Sequence, residues 1–202
     1  MTLGPGYFDE MYAVSPDPWG FTTRWYEARK YAISLALLPE EHYYDAFEPG
    51  CSIGILSEML APRCDRLLSC DVAESAVRSA AARTASRRNV QVQRRVIPRD
   101  WPGGGFNLIV FSEFLYYFAA EDLHQVLDLA VAALRPSGSL LAVHWRHPVA
   151  DYPRSGDDVH QVLASRAGLA RLVDHREPDF LAEVYIRTDG VPASVAESGG
   201  LT

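Results

Sequence analysis

The segment Tyr44-Asp45-Ala46-Phe47-Glu48-Pro49-Gly50-Cys51-Ser52-Ile53-Gly54 constrains this chain most. A short apolar strand runs into a glycine-bearing turn, and the turn opens an amphipathic helix from Ile53 to about Leu60. A second apolar strand, Arg66-Leu67-Leu68-Ser69-Cys70, ends on an acid, Asp71. In doubly wound α/β folds the first strand-helix turn must let the backbone approach a ligand closely, which favours glycine. An acid closing the second strand accepts hydrogen bonds from the two hydroxyls of a ribose. Gly50 and Gly54 stand four apart with Ser52 between them, so the turn departs from the dinucleotide pattern G-x-G-x-x-G. Glu48, at the end of the first strand, would repel a pyrophosphate and suits a ligand bearing an ammonium group. Both features count against a nicotinamide oxidoreductase.

Downstream, Val90-Gln91-Val92-Gln93 reads as a third strand and Phe106-Asn107-Leu108-Ile109-Val110-Phe111 as a fourth. Asp122 to Leu134 reads as an amphipathic helix and Ser139 to Trp145 as a fifth strand. Leu172 to His175 and Phe180 to Arg187 supply the last two strands, joined by Glu177-Pro178-Asp179. From about residue 40 to residue 190 the chain resembles the class I S-adenosylmethionine-dependent methyltransferases. Glu48 to Gly54 stands where that superfamily has E/D-x-G-x-G-x-G, with Ser52 in the middle glycine's place. Ser112-Glu113-Phe114-Leu115-Tyr116-Tyr117-Phe118 is similar to its S-E-x-L-x-x-L segment, and Arg135-Pro136-Ser137-Gly138 to its L-x-P-G-G turn.

The resemblance implies an α/β, Rossmann-like class I methyltransferase fold: a seven-stranded, mostly parallel sheet with helices on both faces and a helical N-terminal lid. It implies S-adenosyl-L-methionine as cofactor and S-adenosyl-L-homocysteine as its product. Gly50, Ser52, Ile53, Gly54 and Ser112 then contact the cofactor, Glu48 meets its ammonium and Asp71 its ribose. Many relatives place an Asp after strand three to hold adenine, where this chain has Arg94-Arg95-Val96-Ile97-Pro98. Adenine is left to the backbone of Val96 or Ile97 and to packing against Val72 and Ile97.

Before the first strand lie Tyr7 to Tyr12, the element Asp17-Pro18-Trp19-Gly20-Phe21 and a helix beginning Trp25-Tyr26-Glu27-Ala28-Arg29-Lys30-Tyr31. Burying a sulfonium requires apolar or aromatic walls with few competing cations, and Trp19, Trp25 and Tyr26 are candidates for those walls. Arg29 is a candidate partner for the methionine carboxylate, since a guanidinium fork matches a carboxylate at two points. Asp17-Pro18-Trp19, Ala28-Arg29, the Glu48 to Gly54 turn and Ser112-Glu113 with Tyr116-Tyr117 together are similar to the NodS-like methyltransferases. Members of that group methylate the free amine of a deacetylated amino sugar in a chitin-like oligosaccharide, and related bacterial enzymes act on amino sugars of natural products such as aminoglycosides. The resemblance thus implies N-methylation of an amino sugar in bacterial secondary metabolism, including antibiotic biosynthesis. O-methylation of a small natural product and a catalytically idle binding protein are the alternatives.

An amine attacks only when unprotonated, so such an enzyme needs a group to accept or guide away one proton. Glu113, closing strand four, is the first candidate. His144 and His147 flank Trp145-Arg146 beyond the carboxyl end of strand five, where ligands bind in such folds. His144 reads equally as a core histidine, His147 as a loop residue before Pro148, and Tyr117 as a wall of the site or as packing for the following helix.

At 202 residues the chain suits a single domain, with residues 1–40 as lid, 41–188 as Rossmann-like core and 189–202 as a tail that frays. A net charge of −7 argues against broad nucleic-acid binding, and the arginines between Arg78 and Arg99 read as a solvated helix face. No apolar run approaches the roughly 20 residues that cross a bilayer. Met1 to Tyr12 lacks the pattern of a secretory signal, so a cytoplasmic protein is expected. Cys51, Cys64 and Cys70 lack zinc-site spacing and read as reduced thiols, with no metal expected. The expected partner is a small amine-bearing sugar, with neither nucleic acid nor membrane, and the chain is expected to be a monomer or homodimer.

Overall fold

The computed structural model describes residues 1–201. Seven strands form one sheet: β1 (Tyr43–Pro49), β2 (Cys64–Asp71), β3 (Val90–Arg94), β4 (Phe106–Ser112), β5 (Leu134–Trp145), β6 (Leu169–Arg176) and β7 (Phe180–Arg187). Their order is β3-β2-β1-β4-β5-β7-β6. β1 to β5 pair in parallel, and β7 enters antiparallel between β5 and β6. The helices are α1 (Pro5–Val14), α2 (Trp25–Leu37), α3 (Ile55–Leu60), α4 (Glu74–Arg83), α5 (Ala120–Ala133), α6 (Gly156–Ala164) and α7 (Val195–Ser198). This is the seven-stranded, mostly parallel class I methyltransferase fold that the resemblance implies.

The near-continuous apolar runs of β1, β4 and β5 follow from burial on both faces. Because side chains alternate along a strand, Phe47, Ile109, Phe111, Leu140 and Ala142 point one way and pack with Leu123, Val126 and Leu127 of α5 and Val159 and Leu163 of α6. Ala46, Leu108, Val110, Leu141 and Val143 point the other way, onto Tyr31 of α2 and Leu56 and Leu60 of α3. Strand succession reverses at β1, which pairs in parallel with both β2 and β4, so the connections that follow β1 and β4 part there and open a crevice.

Several boundaries differ from the sequence reading. The first helix of the core begins at Ile55 rather than Ile53, because Gly54 at φ +79° closes the turn before it. Arg135 to Gly138 lies inside the long β5 as an irregularity: the pairing with β4 jumps from Phe106↔Leu134 to Leu108↔Ser139, and Ser137 adopts φ 60°. The N-terminal aromatic stretch forms a helix of its own, α1, with proline in its first turn, where the missing N–H costs nothing. In the tail, Ser194 and Glu197 cap one exposed turn, α7, and Thr202 lies outside the described residues. No helix among the described residues is long and apolar enough to cross a membrane.

Candidate functional site

A cavity of about 550 Å³ opens over the carboxyl ends of β1, β2 and β4, beneath the N-terminal helices. Its floor is the turn after β1. Gly50 adopts φ +73°, and a Cβ there would lie 2.5 Å from Phe114 Cδ2, so only glycine fits. Ser52 holds a left-handed φ of 50°, the conformation for which a middle glycine is better suited. It is retained by two contacts: its N–H donates to Asp71 Oδ2 at 2.9 Å, and its hydroxyl lies 2.5 Å from the Tyr12 hydroxyl. The latter bond ties α1 to the floor.

Two buried carboxylates face this end. Glu48 is 2% exposed, and the hydroxyls of Ser57 and Ser69 donate to its Oε2 at 2.5 and 2.9 Å, which leaves Oε1 for the cavity it lines. Burial pushes its pKa from 4.5 up to about 7, against the lowering effect of the two hydroxyls. Asp71 accepts from the Ser52 and Ala73 N–H groups, yet burial raises its pKa. Each of its oxygens keeps a lone pair, enough for the two hydroxyls of a ribose. Val72 and Ile97 line the adjoining wall. Val96 lines it too, but its N–H donates to Asp100 Oδ2 at 3.0 Å. The Val96 carbonyl accepts from the Asp100 N–H at 2.8 Å and keeps a second lone pair, so the backbone on offer to adenine at Val96 is its carbonyl, beside Ile97.

The opposite end is built around Glu113, whose φ is 53°. Its Oε1 accepts from Lys30 Nζ at 2.6 Å, and its Oε2 from the Tyr116 hydroxyl at 2.5 Å and the Trp145 N–H at 2.9 Å. Strained backbone at both Ser52 and Glu113 marks the two ends of the cavity. Lys30 is 2% exposed and lies 3.0 Å from Glu27 Oε2, although no aligned hydrogen bond reaches that oxygen. Burial lowers the lysine pKa, but Glu113 and Glu27 more than offset it and hold the ammonium charged. Tyr26, Tyr117, Trp19, Trp145 and Tyr152 add aromatic wall, and the buried Tyr26 hydroxyl has no hydrogen-bond partner. Asp17 accepts from the N–H groups of Phe21 and Thr22 at 2.8 and 2.9 Å, forming the turn that carries Trp19 over the cavity.

Of the residues singled out from the sequence, the cavity brings together Trp19, Tyr26, Glu48, Gly50, Ser52, Ile53, Asp71, Val72, Val96, Ile97, Ser112, Glu113 and Tyr117. Five lie elsewhere. Trp25 is 78% exposed on the outer face of α2 and forms no wall. Arg29 makes a two-point ion pair with Glu177 at 2.7 and 2.8 Å, which corrects its expected role with a methionine carboxylate. Gly54 underlies the turn: a Cβ would lie 2.9 Å from Ala80 Cα, so this glycine serves the approach of α3 to α4 rather than a ligand. His144 is fully buried, bonded to Leu115 N–H and His160, and burial drives its pKa well below 6.5, so it does not face a substrate. His147 is exposed and pairs with Asp179 at 2.7 Å outside the cavity. Sequence reasoning passed over Lys30, Glu27 and Tyr12, which all line it. No group of three or more His, Cys, Asp or Glu suited to a metal occurs among the described residues.

The strand order, the glycine turn under paired acids and the covering helices define a class I methyltransferase fold with a nucleoside-type pocket. The chain belongs to the Nodulation protein S (NodS) family, whose sequence model matches residues 10–175. It is 32% identical over 127 residues to Nodulation protein S of Bradyrhizobium diazoefficiens, covering 62% of this chain and 61% of that protein. It is 30% identical over 134 residues to Nodulation protein S of Rhizobium tropici, covering 63% of this chain and 55% of that protein. The matches thus span little more than half of these relatives' lengths. A structure from Pseudomonas syringae assigned as a methyltransferase is 48% identical, with a TM-score of 0.73, over 81% of this chain and all of that one. The N-methyltransferase NodS from Bradyrhizobium japonicum WM9, in complex with S-adenosyl-L-homocysteine, has the same fold, with a TM-score of 0.82 at 24% identity over 92% of this chain and 99% of that chain.

Proposed function

We propose that this protein is an S-adenosylmethionine-dependent N-methyltransferase acting on an amine-bearing small molecule, an amino sugar of aminoglycoside or chitooligosaccharide type. The observation that carries the reading is the pairing of buried Glu48 and Asp71 around the Gly50 turn, in one cavity with Glu113. A buried carboxylate with a free oxygen favours a cationic ligand, and the Cβ-free cradle at Gly50 admits a close neighbour. These residues fit the cofactor: Glu48 Oε1 would take the ammonium, Asp71 the ribose hydroxyls, and Val72 and Ile97 the adenine faces. When bound, S-adenosylmethionine supplies an electrophilic methyl group on a sulfonium.

The remaining chemistry belongs to the chain. Trp19, Tyr26 and Tyr117 exclude water, while Glu27 and Glu113 neutralise Lys30, the cation that would otherwise oppose a sulfonium and a basic substrate. Glu113 is not a free base, since three donors hold it. With the Tyr116 hydroxyl proton directed at Glu113, the Tyr116 oxygen is left as an acceptor for an amine N–H, so that the nitrogen lone pair is aimed by hydrogen bonding. Glu113→Gln is expected to lower turnover more than cofactor affinity; equal losses in both would remove its assigned place.

Calorimetric titration with S-adenosyl-L-homocysteine and with NADH tests the cofactor. A methyl-transfer screen over aminoglycosides and deacetylated chitooligosaccharides, in the same preparation, tests the acceptor. Homocysteine-nucleoside binding with turnover on an amine supports both levels. Binding with turnover only on hydroxyl acceptors would overturn the amine, and absence of binding would overturn the methyltransferase reading itself.

A further inference from the structure

A buried run of hydrogen bonds leads from the wall of the cavity to the outer edge of the sheet, and its geometry fixes where each proton sits. The Leu115 N–H donates to His144 Nε2 at 3.1 Å, so that nitrogen carries no proton. A neutral ring then bears its proton on Nδ1, which lies 3.0 Å from His160 Nε2. That nitrogen accepts in turn, which leaves the His160 proton on Nδ1, 2.7 Å from Glu183 Oε2. The opposite direction would require a His144 ring with no proton at all. Glu183 is fully buried and also accepts from the Tyr185 hydroxyl at 2.5 Å, Arg171 at 2.8 Å and Arg176 at 3.1 Å. Packing brings the two rings together: a Cβ on Gly156, at the start of α6, would lie 2.3 Å from the Trp145 carbonyl oxygen. Only glycine lets α6 press this closely on the end of β5.

We propose that His144, its tautomer set by His160 and Glu183, is a positioning residue that holds the turn Leu115–Tyr117 at the substrate end of the cavity through the acceptor at Nε2. Neither histidine lines the cavity, so His144 acts through that turn and His160 only through His144. Its two tyrosines do line it: Tyr116 donates to Glu113 Oε2, and the Tyr117 hydroxyl lies 3.4 Å from that of Tyr152. Without an acceptor at His144 Nε2, the Leu115 N–H is buried and unsatisfied, and the turn must shift to find one. The wiring stands by itself; its consequence for turnover rests on the methyltransferase reading.

The test uses the full chain labelled with 15N-histidine, together with His144→Asn and His144→Gln. The Gln carbonyl reaches the place of Nε2 and keeps the acceptor for Leu115. The Asn amide reaches only the place of Nδ1, keeping a donor for His160 and withdrawing that acceptor. Both wild-type rings are expected as the neutral Nδ1–H tautomer. The Leu115 amide is expected to exchange about tenfold faster in His144→Asn and near the wild-type rate in His144→Gln. Affinity for S-adenosyl-L-homocysteine should stay within about twofold in both variants, because an independent site distant from a change is little perturbed. On whichever acceptor the methyl-transfer screen identifies, His144→Asn should lower kcat rather than raise KM, and His144→Gln should restore it. An Nε2–H tautomer on either ring, or equal Leu115 protection in the two variants, overturns the proposal. If the chain fails to bind the homocysteine nucleoside, the functional reading falls while tautomer and exchange still decide this one. If His144→Asn does not fold, the wild-type tautomers decide it.

Discussion

Glu48 ties stability and cofactor binding to one proton. Its folded pKa is about 7 against an ordinary 4.5, and burial is the main cause. Between those values the folded chain binds more protons than the unfolded one, so this group's contribution to stability is full below about pH 4.5, falls as pH rises through the window and is flat above about pH 7. A shift of this size corresponds to about 3 kcal/mol across the window. Glu48→Gln keeps the shape and leaves a carbonyl to accept from Ser57 and Ser69, so it removes the charge without opening a cavity. The variant should match the wild type near pH 4.5 and exceed its stability by about 3 kcal/mol near pH 8. Urea denaturation of both proteins across that range measures the difference, in which groups that do not interact with Glu48 cancel, while Asp71, whose charge helps raise Glu48, stays coupled to it. The ligand side has the opposite sign: an ammonium beside Glu48 favours the ionised form, so S-adenosyl-L-homocysteine should bind with release of a fraction of a proton near neutrality. Calorimetry in two buffers of different ionisation enthalpy reads that release, and Glu48→Gln should abolish it while weakening binding. Parallel stability profiles for the two proteins, or proton release unchanged in the variant, would refute the placement of an ionising carboxylate at this spot.

Other residues give sharper separations between fold and site. Asp71→Ala removes the acceptor that holds the Ser52 N–H as well as the partner for a ribose, so S-adenosyl-L-homocysteine affinity should fall by at least about tenfold in a titration. Gly54→Ala forces a side chain into a left-handed φ and against Ala80, and should cost about 2–4 kcal/mol in urea denaturation. Arg29→Ala should leave that titration unchanged, because its guanidinium is engaged with Glu177 outside the cavity; a large loss of affinity would restore the carboxylate role.

Most of the fold was legible because its signals are local. A strand buried on both faces leaves an apolar run, and a left-handed turn leaves glycine, so β1, β4, β5 and the turn at Gly50 could be placed from residue types alone. The irregularity at Arg135 to Gly138 was read as a plain turn before the strand. Its pairing with β4 resumes across a register jump, which depends on a partner distant in sequence. Asp71 was legible for the same reason as the turn, since a strand end fixes where its acid points. His144 was ambiguous because a β-strand residue faces one side or the other by register. The partners that decide its role, His160 and Glu183, come from α6 and β7.

The hardest part to read was the inner face of α2. Arg29 and Lys30 are consecutive, yet about 100° of helix rotation separates them. One turns outward to Glu177 and the other inward to Glu113, so a motif that marks this helix as a cover of the cavity still leaves the choice of cation undecided. Two features of the sequence bear on that choice. Lys30 is the chain's one lysine among eighteen arginines, so a composition that favours arginine everywhere else has kept a compact ammonium at this position. Glu27 stands three residues earlier, the spacing that puts two side chains on one helix face. A guanidinium needs room for a planar fork of donors, whereas an ammonium fits between two carboxylates that must themselves face a cavity. The lone lysine, paired at helical spacing with an acid, is therefore the stronger mark of the buried face than the arginine beside it.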